Sequence, residues 1–302
     1  MSDKTGIQWT DHTFNPWWGC IRVSPGCEHC YAETFAKRLG LNVWGPAKTT
    51  GRRTFAGKHW DAPMRWNAAA KKAGVRARVF CASMADVFED HPAVEPERRR
   101  LWWLIRETPH LDWQLLTKRP ENIARMLPAD WGQGYPNVWL GTSIESPDYA
   151  HRFDVLRAVP AAVHFLSLEP LLGDIAGVLH DRFAELGPGE EWWAILGGES
   201  GATARPFELD WVRDALRWCD EFGVSAFVKQ LGARPFCANN EDAEQWPGAT
   251  IPFRDDYEPH HQGELAPLQL NDSHGGDWAE WPADLRVREF PTSRVGLVEE
   301  GR

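Results

Sequence analysis

Three cysteines lie within eleven residues near the amino terminus, in the pattern Cys20-x6-Cys27-x2-Cys30. The chain has six cysteines in 302 residues, too few for a disulfide scaffold, so this clustering needs a chemical reason. Three thiolates on one loop can bind a metal ion or an iron–sulfur cluster. A cubane [4Fe–4S] cluster held by three cysteines leaves one iron open to an outside ligand. The pattern favours such a cluster.

Structural zinc is the alternative interpretation of the same loop. His29, His59 or Cys81 would then supply the fourth ligand. The chain contains no second C-x2-C or H-x3-H pair that would complete a zinc site with the usual spacing. We therefore prefer the cluster to zinc.

The elements that position this loop are short apolar runs that alternate with helix-like stretches. The runs are residues 79–83, 113–117, 138–143, 163–167, 192–196 and 226–229. The helix-like stretches include residues 96–107, 120–126, 147–158 and 210–222, the last with Asp210 as N-cap and Gly223 as C-cap. Strands that are apolar on both faces and alternate with helices indicate a parallel sheet. With a first strand around residues 13–19, seven strands predict an α/β fold, a partial or complete TIM-type (β/α) barrel.

Polar and charged residues follow these runs. In a barrel the carboxyl ends of the strands point to one face, where the active site lies. The residues at these ends are Asp86, Lys118, Arg119, Ser143, Glu145, Ser167, Glu169, Glu199, Ser200, Lys229 and Gln230. They predict a polar pocket above an apolar sheet.

Charge is distributed unevenly along a chain whose net charge is −10. Residues 37–78 hold eleven Lys and Arg and one acid, with Trp60 and Trp66 between them. Such a segment can track phosphates and stack bases, which would make nucleic acid a partner, or it can be a solvated surface. Residues 239–302 hold fourteen Asp and Glu and five Arg.

This asymmetry suggests a barrel domain at residues 1–235 and an irregular, acidic C-terminal extension at 236–302, which would act as a lid or an interface. The sequence contains no apolar run of the roughly 18–20 residues that a membrane span needs. Its N-terminus is polar and lacks the apolar core of a signal peptide. We expect a cytoplasmic protein with no membrane association.

The cysteine loop, which ends in Cys30-Tyr31-Ala32, resembles that of radical S-adenosylmethionine enzymes. More closely, residues 6–235 resemble an uncharacterised family of phage and bacterial three-cysteine-motif proteins, with spore photoproduct lyase as a more distant relative. The shared blocks are WWGC (17–20), CxxCYA (27–32), LTKRP (116–120), LGTSIE (140–145), FLSLEPL (165–171), GGESG (197–201), ARP (204–206) and VKQLG (228–232).

The resemblance implies a partial barrel with a [4Fe–4S] cluster on the three cysteines and S-adenosyl-L-methionine at its open iron. A flavodoxin- or ferredoxin-type electron donor would reduce the cluster. Cleavage would then release a 5′-deoxyadenosyl radical that abstracts hydrogen from the substrate. The resemblance also implies a dedicated partner protein encoded nearby. The phage relatives and the basic segment favour a nucleic acid or nucleotide as the substrate, for modification or repair.

Two features depart from the usual radical-enzyme pattern. The first gap between cysteines is six residues rather than three. The residue before the third cysteine, usually an aromatic that packs on adenine, is His29, so Tyr31 is expected to take that part. The stretch that usually reads Gly-Gly-Glu ends instead in Asp86, which is expected to hold the amino group of S-adenosylmethionine.

The resemblance also suggests roles for the remaining residues at the strand ends. Ser143 and Glu145 are expected to bind the ribose hydroxyls or the methionine carboxylate. Gly197 and Gly198 would let the backbone approach a planar ring. The candidates for substrate chemistry are Glu169, Glu199, Lys118, Arg119 and Lys229. The carboxylates would orient the substrate or donate protons, and the cations would clamp an anionic group.

Two other functions stay open at this point. A barrel hydrolase would use paired carboxylates such as Glu145 and Glu199, with a structural zinc clip on the cysteines. It would be colourless and need no reductant. A non-catalytic zinc or cluster module would bind nucleic acid or a partner protein, and substitution of Glu145 and Glu169 would leave that binding unchanged.

Overall fold

The computed structural model describes residues 5–237, 266–268 and 270–291. Its strands, in chain order β1 to β12, are His12–Thr13, Trp17–Trp18, Arg53–Thr54, Ala77–Cys81, Leu111–Thr117, Val138–Ser143, Val163–Leu168, Trp192–Gly197, Phe207–Glu208, Ser225–Gln230, Pro235–Cys237 and Ala266–Pro267. Its helices, α1 to α8, are Tyr31–Arg38, Gly57–Trp60, Ala62–Ala73, Glu95–Arg106, Ile123–Met126, His151–Arg157, Ala176–Ala184 and Leu209–Phe222. Most of the acidic segment predicted as a lid or interface lies outside these described residues.

Seven strands form one sheet in the order β1-β4-β5-β6-β7-β8-β10. Every neighbouring pair in this sheet is parallel. The sheet curls into a half-barrel flanked by helices, with β1 and β10 at its two edges. The prediction of an α/β, partial TIM-type barrel with seven parallel strands is confirmed.

Strands β6, β7 and β8 are buried at every position because each face packs against a core. Successive side chains of a strand point to opposite faces. Leu140 and Leu166 belong to the core that lies between the sheet and the helices. Their neighbours Trp139 and Phe165 belong to a second cluster inside the half-barrel, together with Trp193. The apolar runs of the sequence therefore serve two cores at once.

The first predicted strand, residues 13–19, is divided in the structure. Only β1 joins the main sheet, whereas β2 pairs antiparallel with β3. Pro16 lies between them, and proline lacks the N–H that a ladder needs and restricts the residue before it. The cysteine loop therefore follows β2 rather than a barrel strand. The N-cap of helix α8 is Glu208, two residues before the predicted Asp210, and its C-cap is Gly223 as predicted.

The described part of the C-terminal extension packs on the barrel. Strand β11 pairs with β9 and with β12. Trp281 and Leu285 are buried in the core between the sheet and the helices. The backbone of Glu289 donates to the carbonyl of Ala226 in β10 at 2.8 Å. The division at residue 235 stays a prediction. Among the described residues, no helix is long and apolar enough to cross a membrane.

Candidate active site

A cavity of about 550 Å³ opens at the carboxyl ends of the sheet strands, against the cysteine loop. Cys20, Cys27 and Cys30 all line it. The other predicted site residues that line it are Tyr31, Asp86, Lys118, Arg119, Ser143, Ser167, Glu169, Gly198, Glu199, Ser200, Lys229 and Gln230. Glu145 and Gly197 do not. Ligand pockets commonly have volumes of about 300–1,000 Å³, so the cavity is large enough for a cofactor or substrate.

Cys20 lies against a buried guanidinium. The Nη1 and Nη2 atoms of Arg119 are 3.6 and 3.7 Å from its Sγ. Burial raises the pKa of the Cys20 thiol to about 12, and the charge of Arg119 opposes that rise. Arg119 in turn donates to Asp86 at 2.7 Å and to the carbonyl of Ile21 at 2.6 Å. A thiolate formed at Cys20 would therefore have a fixed positive charge beside it.

Asp86 has no accepting site left for a ligand. Its Oδ1 accepts from the hydroxyl of Thr117 at 2.8 Å and the backbone N–H of Phe88 at 2.9 Å. Its Oδ2 accepts from Arg119 and from the backbone N–H of Lys118, at 2.7 and 3.2 Å. A carboxylate offers about four lone-pair sites, and all four have donors here. We therefore assign Asp86 to holding Arg119, and not to the amino group of S-adenosylmethionine as the sequence suggested.

Glu145 is fully buried behind the loop that carries Cys27. Its carboxylate accepts hydrogen bonds from Lys118 Nζ and Arg152 Nη1, each at 2.9 Å, and from the Ser24 hydroxyl at 2.7 Å. Burial raises the pKa of Glu145, but Lys118, Arg152 and Ser24 outweigh it and hold the pKa below its usual value. Because this carboxylate does not face the cavity, we reassign it from cofactor binding to anchoring the cysteine loop.

Gly26 is the point at which the loop touches this anchor. A Cβ added there would lie 2.5 Å from Oε1 and 2.8 Å from Cδ of Glu145. Real Cβ contacts are essentially never that short, so only glycine admits the present approach. The adjacent Cys27 lies 3.9 Å, sulfur to oxygen, from Ser24, which itself bonds Glu145. The position of Cys27 therefore depends on Glu145.

Glu199 holds the loop through His29, between the second and third cysteines. Its Oε2 lies 3.0 Å from His29 Nδ1, and Arg205 donates to both carboxylate oxygens, at 3.0 and 2.7 Å. Burial raises the pKa of Glu199, but Arg205 and His29 together hold it below its usual value. Burial also raises the pKa of the nearby Cys30 thiol. Glu199 lines the cavity, yet its oxygens are engaged in fixing the loop.

Tyr31 directly follows the third cysteine and begins α1. Its hydroxyl donates to the carbonyl of Ser83 at 2.8 Å, while its ring is exposed. This geometry leaves a ring face at the cavity wall, so packing on a planar ligand stays a prediction for Tyr31.

Glu169 follows β7 and Lys229 lies in β10, and the two form an ion pair on a part of the cavity lining that we call the opposite wall. Their side chains remain 18% and 28% exposed, and no other hydrogen-bonding partner is found for either one among the described residues. Ser143 also lines this part of the cavity and is buried. This pair therefore keeps hydrogen-bonding capacity towards a ligand, as does Lys118 Nζ, which lines the cavity and has Glu145 as its one ion-pair partner among the described residues.

Gly197 and Gly198 serve packing within the sheet. A Cβ at Gly198 would lie 2.6 Å from the carbonyl oxygen of Leu231 and 2.8 Å from the ring of Phe207. At Gly197 it would lie 3.3 Å from the carbonyl oxygen of Gln230. The two glycines therefore allow β8 to approach the segment after β10, and a close approach to a planar ligand is not needed to explain them.

Three residues with structural roles at this site were not singled out from the sequence. Ser24 and Arg152 complete the anchor at Glu145, and Arg205 completes the one at Glu199. Arg205 lies within the ARP block (204–206) that the sequence shares with the family it resembles, which was a usable signal. Ser24 and Glu145 are 121 residues apart in the chain, so no local pattern connects them.

The cysteine loop carries three thiols that could serve as ligands of a metal ion or a cluster, and which of these they hold stays a prediction. Within residues 5–237, 266–268 and 270–291, no group of three or more His, Cys, Asp or Glu side chains that could hold a metal ion is found. A cubane cluster takes one thiolate on each of three irons, so its three thiols reach one cavity without converging on a point. Cys20, Cys27 and Cys30 meet that requirement. Of the three proposed fourth ligands of a zinc ion, His59 and Cys81 do not line the cavity, whereas His29 does.

A family model described as "Protein of unknown function (DUF5131)" matches residues 4–257. No curated protein and no solved structure matches the chain.

Proposed function

The chain belongs to the DUF5131 family, and we propose that it is a radical S-adenosylmethionine enzyme with a [4Fe–4S] cluster on Cys20, Cys27 and Cys30. One observation carries this proposal. The three thiols share a wall of a cavity into which the carboxyl ends of seven parallel strands open. Thiolates are the ligands that iron–sulfur clusters take, and strand carboxyl ends are where barrel enzymes place their chemistry.

With S-adenosylmethionine and an outside electron donor, a cluster held by Cys20, Cys27 and Cys30 would supply a 5′-deoxyadenosyl radical. The chain's own residues would position the ligands and exclude water. Arg119 stabilises negative charge at Cys20, and Glu145 and Glu199 hold the loop in place. Trp9 and Phe80 line the cavity on its apolar side. The proposal places the protein in the cytoplasm, where thiols stay reduced, with a flavodoxin- or ferredoxin-type donor.

Glu169 and Lys229 would bind the polar groups of the ligand in this scheme. The ammonium of Lys229 can pair with a carboxylate or phosphate, and Glu169 can accept from an amino or hydroxyl group. Both line the same cavity as the three cysteines, so a ligand that fills it would contact the loop and the pair together.

The hydrolase alternative needs one carboxylate of a pair to be a protonated general acid. Neither Glu145 nor Glu199 has the raised pKa that such a protonated acid needs. The pKa of each is held low by cations, and Glu145 is turned away from the cavity. The geometry therefore does not favour that pair as an acid and a base.

The test is made on protein purified and reconstituted without oxygen. Iron, sulfide and zinc are measured per chain, and 5′-deoxyadenosine is assayed after addition of S-adenosylmethionine and dithionite. We expect about four irons and four sulfides, lost in Cys20→Ala, Cys27→Ala and Cys30→Ala but kept in Cys219→Ala, which alters a buried cysteine in α8. About one zinc, no sulfide and no cleavage product would overturn the proposal.

A further inference from the structure

A row of aromatic rings leads away from the cavity along its outer rim. Tyr31, at the cavity, and Phe35 lie one turn apart on the same face of α1. The ring of Phe35 lies 6.0 Å from that of Trp18 in β2, which lies 5.8 Å from that of Phe55. Phe35 is 45% exposed, and Trp18 and Phe55 are partly exposed. The row therefore begins in the cavity and continues across an open surface.

Cations without carboxylate partners flank this row. Arg53 lies over the rings of Trp18 and Phe55, at 5.1 and 5.5 Å from the ring centroids. It is exposed, as are Arg38 at the end of α1 and Lys58 in α2. Of the eleven cations in residues 37–78, Lys37, Arg52, Arg76 and Arg78 form ion pairs. In the described part of the chain the other seven form none, and they include Arg38, Arg53 and Lys58, so this surface carries uncompensated positive charge although the chain as a whole is acidic.

The tryptophans that first suggested stacking on the basic segment do not form this surface. Trp60 is buried, and its Nε1 donates to the carbonyl of Phe55 at 3.2 Å. Trp66 is stacked on His12, with the ring centroids 4.3 Å apart. The exposed rings come instead from α1, β2 and the segment after β3.

We propose that this surface binds a single-stranded nucleic acid and leads one of its nucleotides into the cavity. Exposed rings stack on bases of any sequence, and unpaired cations beside them track the phosphates. Single strands are favoured because the bases of a duplex already stack on one another and cannot lie on these rings. The proposal names the substrate class of the proposed enzyme, and it rests on that function only in assigning the cavity as the place of reaction.

The test measures binding alone, on the full chain, before any cluster is reconstituted. A fluorescent single-stranded DNA of about 12 nucleotides is titrated at several salt concentrations, with single-stranded RNA and duplex DNA as parallel probes. We expect single strands to bind more tightly than the duplex. Phe35→Ala should weaken binding about tenfold. Arg53→Gln combined with Lys58→Gln should lower the slope of log affinity against log salt by about 1.4.

Matched variants lie elsewhere on the surface. Trp103→Ala removes an exposed ring from α4, and Lys71→Gln with Lys72→Gln removes two unpaired cations from the end of α3. Neither should change binding by more than about twofold. The proposal would be overturned if these controls weakened binding as much as the Phe35 and Arg53 with Lys58 variants do. It would also be overturned if duplex DNA bound as tightly as single strands, or if polyglutamate competed as well as nucleic acid. Binding without cluster formation would refute only the proposed enzyme, and cluster formation without binding would refute only this surface.

Discussion

The two walls of the cavity use the same residue types in different ways. Around the cysteine loop, Asp86 and Glu199 at the cavity and Glu145 behind it each accept from several donors, and each is at least nine-tenths buried. On the opposite wall, Glu169 has Lys229 as its partner, and both side chains remain partly exposed. All four carboxylates follow strands of the sheet. Position after a strand therefore does not distinguish a structural carboxylate from one that is available to a ligand.

The difference teaches that the partners of a strand-end carboxylate decide its role. A buried carboxylate with two cations cannot be removed without leaving uncompensated charge in the interior, which costs about 3–5 kcal/mol. The Glu169–Lys229 pair is partly exposed, so it contributes less than a fully buried pair, and either group can exchange its partner for a ligand. The loop wall therefore has a mainly structural use, and the opposite wall is free for ligand chemistry.

The largest expected effect is at Glu145. Glu145→Gln leaves Lys118 and Arg152 without their carboxylate, and we expect the free energy of unfolding to fall by about 3–5 kcal/mol. Glu169→Gln on the opposite wall is the matched control, with a loss under about 1 kcal/mol. Chemical denaturation of the two variants measures both. Equal losses would remove the distinction between the walls.

Gly26→Ala is expected to act on the same anchor from the side of the loop. The added Cβ would displace Gly26 from the Glu145 carboxylate, and overpacking of this kind costs about 1–3 kcal/mol. Because Cys27 is the next residue, the iron bound per chain should fall as well. Gly177→Ala, at an open position in α7, is the control and should lower neither stability nor iron content. Normal iron content in Gly26→Ala would show that the anchor does not position the cysteines.

The effect of pH tests whether Glu199 is a structural ion. Its pKa is lowered by folding, so the folded state binds its proton less readily than the unfolded state does. The resulting stability is present above the ordinary value of 4.5 and is lost as the pH falls below it. We expect Glu199→Gln to be less stable than the wild type at pH 7, and this difference to shrink from pH 5 to pH 3.5. A difference that is independent of pH would contradict this account.

The fold was predictable because its signal is local. Residues 138–143 and 163–167 are apolar on both faces, and the strands occur there with nearly these bounds. Lys118 and Lys229 line one cavity. This was also predictable, because parallel strands have their carboxyl ends on the same side of the sheet. The proline that interrupts the first strand was visible as well, but its effect on β2 was not foreseen.

The roles of individual residues were less predictable because their partners are distant in the chain. Asp86 precedes Arg119 by 33 residues, and their contact depends on β4 and β5 being neighbours. Glu145 lies two residues beyond Ser143, yet only Ser143 lines the cavity, since the chain has already left the strand. Residue type and position predicted the pocket, and side-chain direction decided which residues face it.

The smallest effect on stability is expected at the opposite wall. A variant there gives the most direct information about ligand binding. Lys229→Gln removes a partly exposed cation, so the free energy of unfolding should change by under about 1 kcal/mol and the iron content should stay normal. If Glu169 and Lys229 hold the ligand, binding of S-adenosylmethionine or of substrate should nevertheless weaken about tenfold or more. Calorimetric titration of the reconstituted variant measures the affinity for S-adenosylmethionine. The yield of 5′-deoxyadenosine shows whether weaker binding lowers the cleavage. A stable, iron-loaded variant with unchanged affinity and yield would show that this wall, too, is only structural.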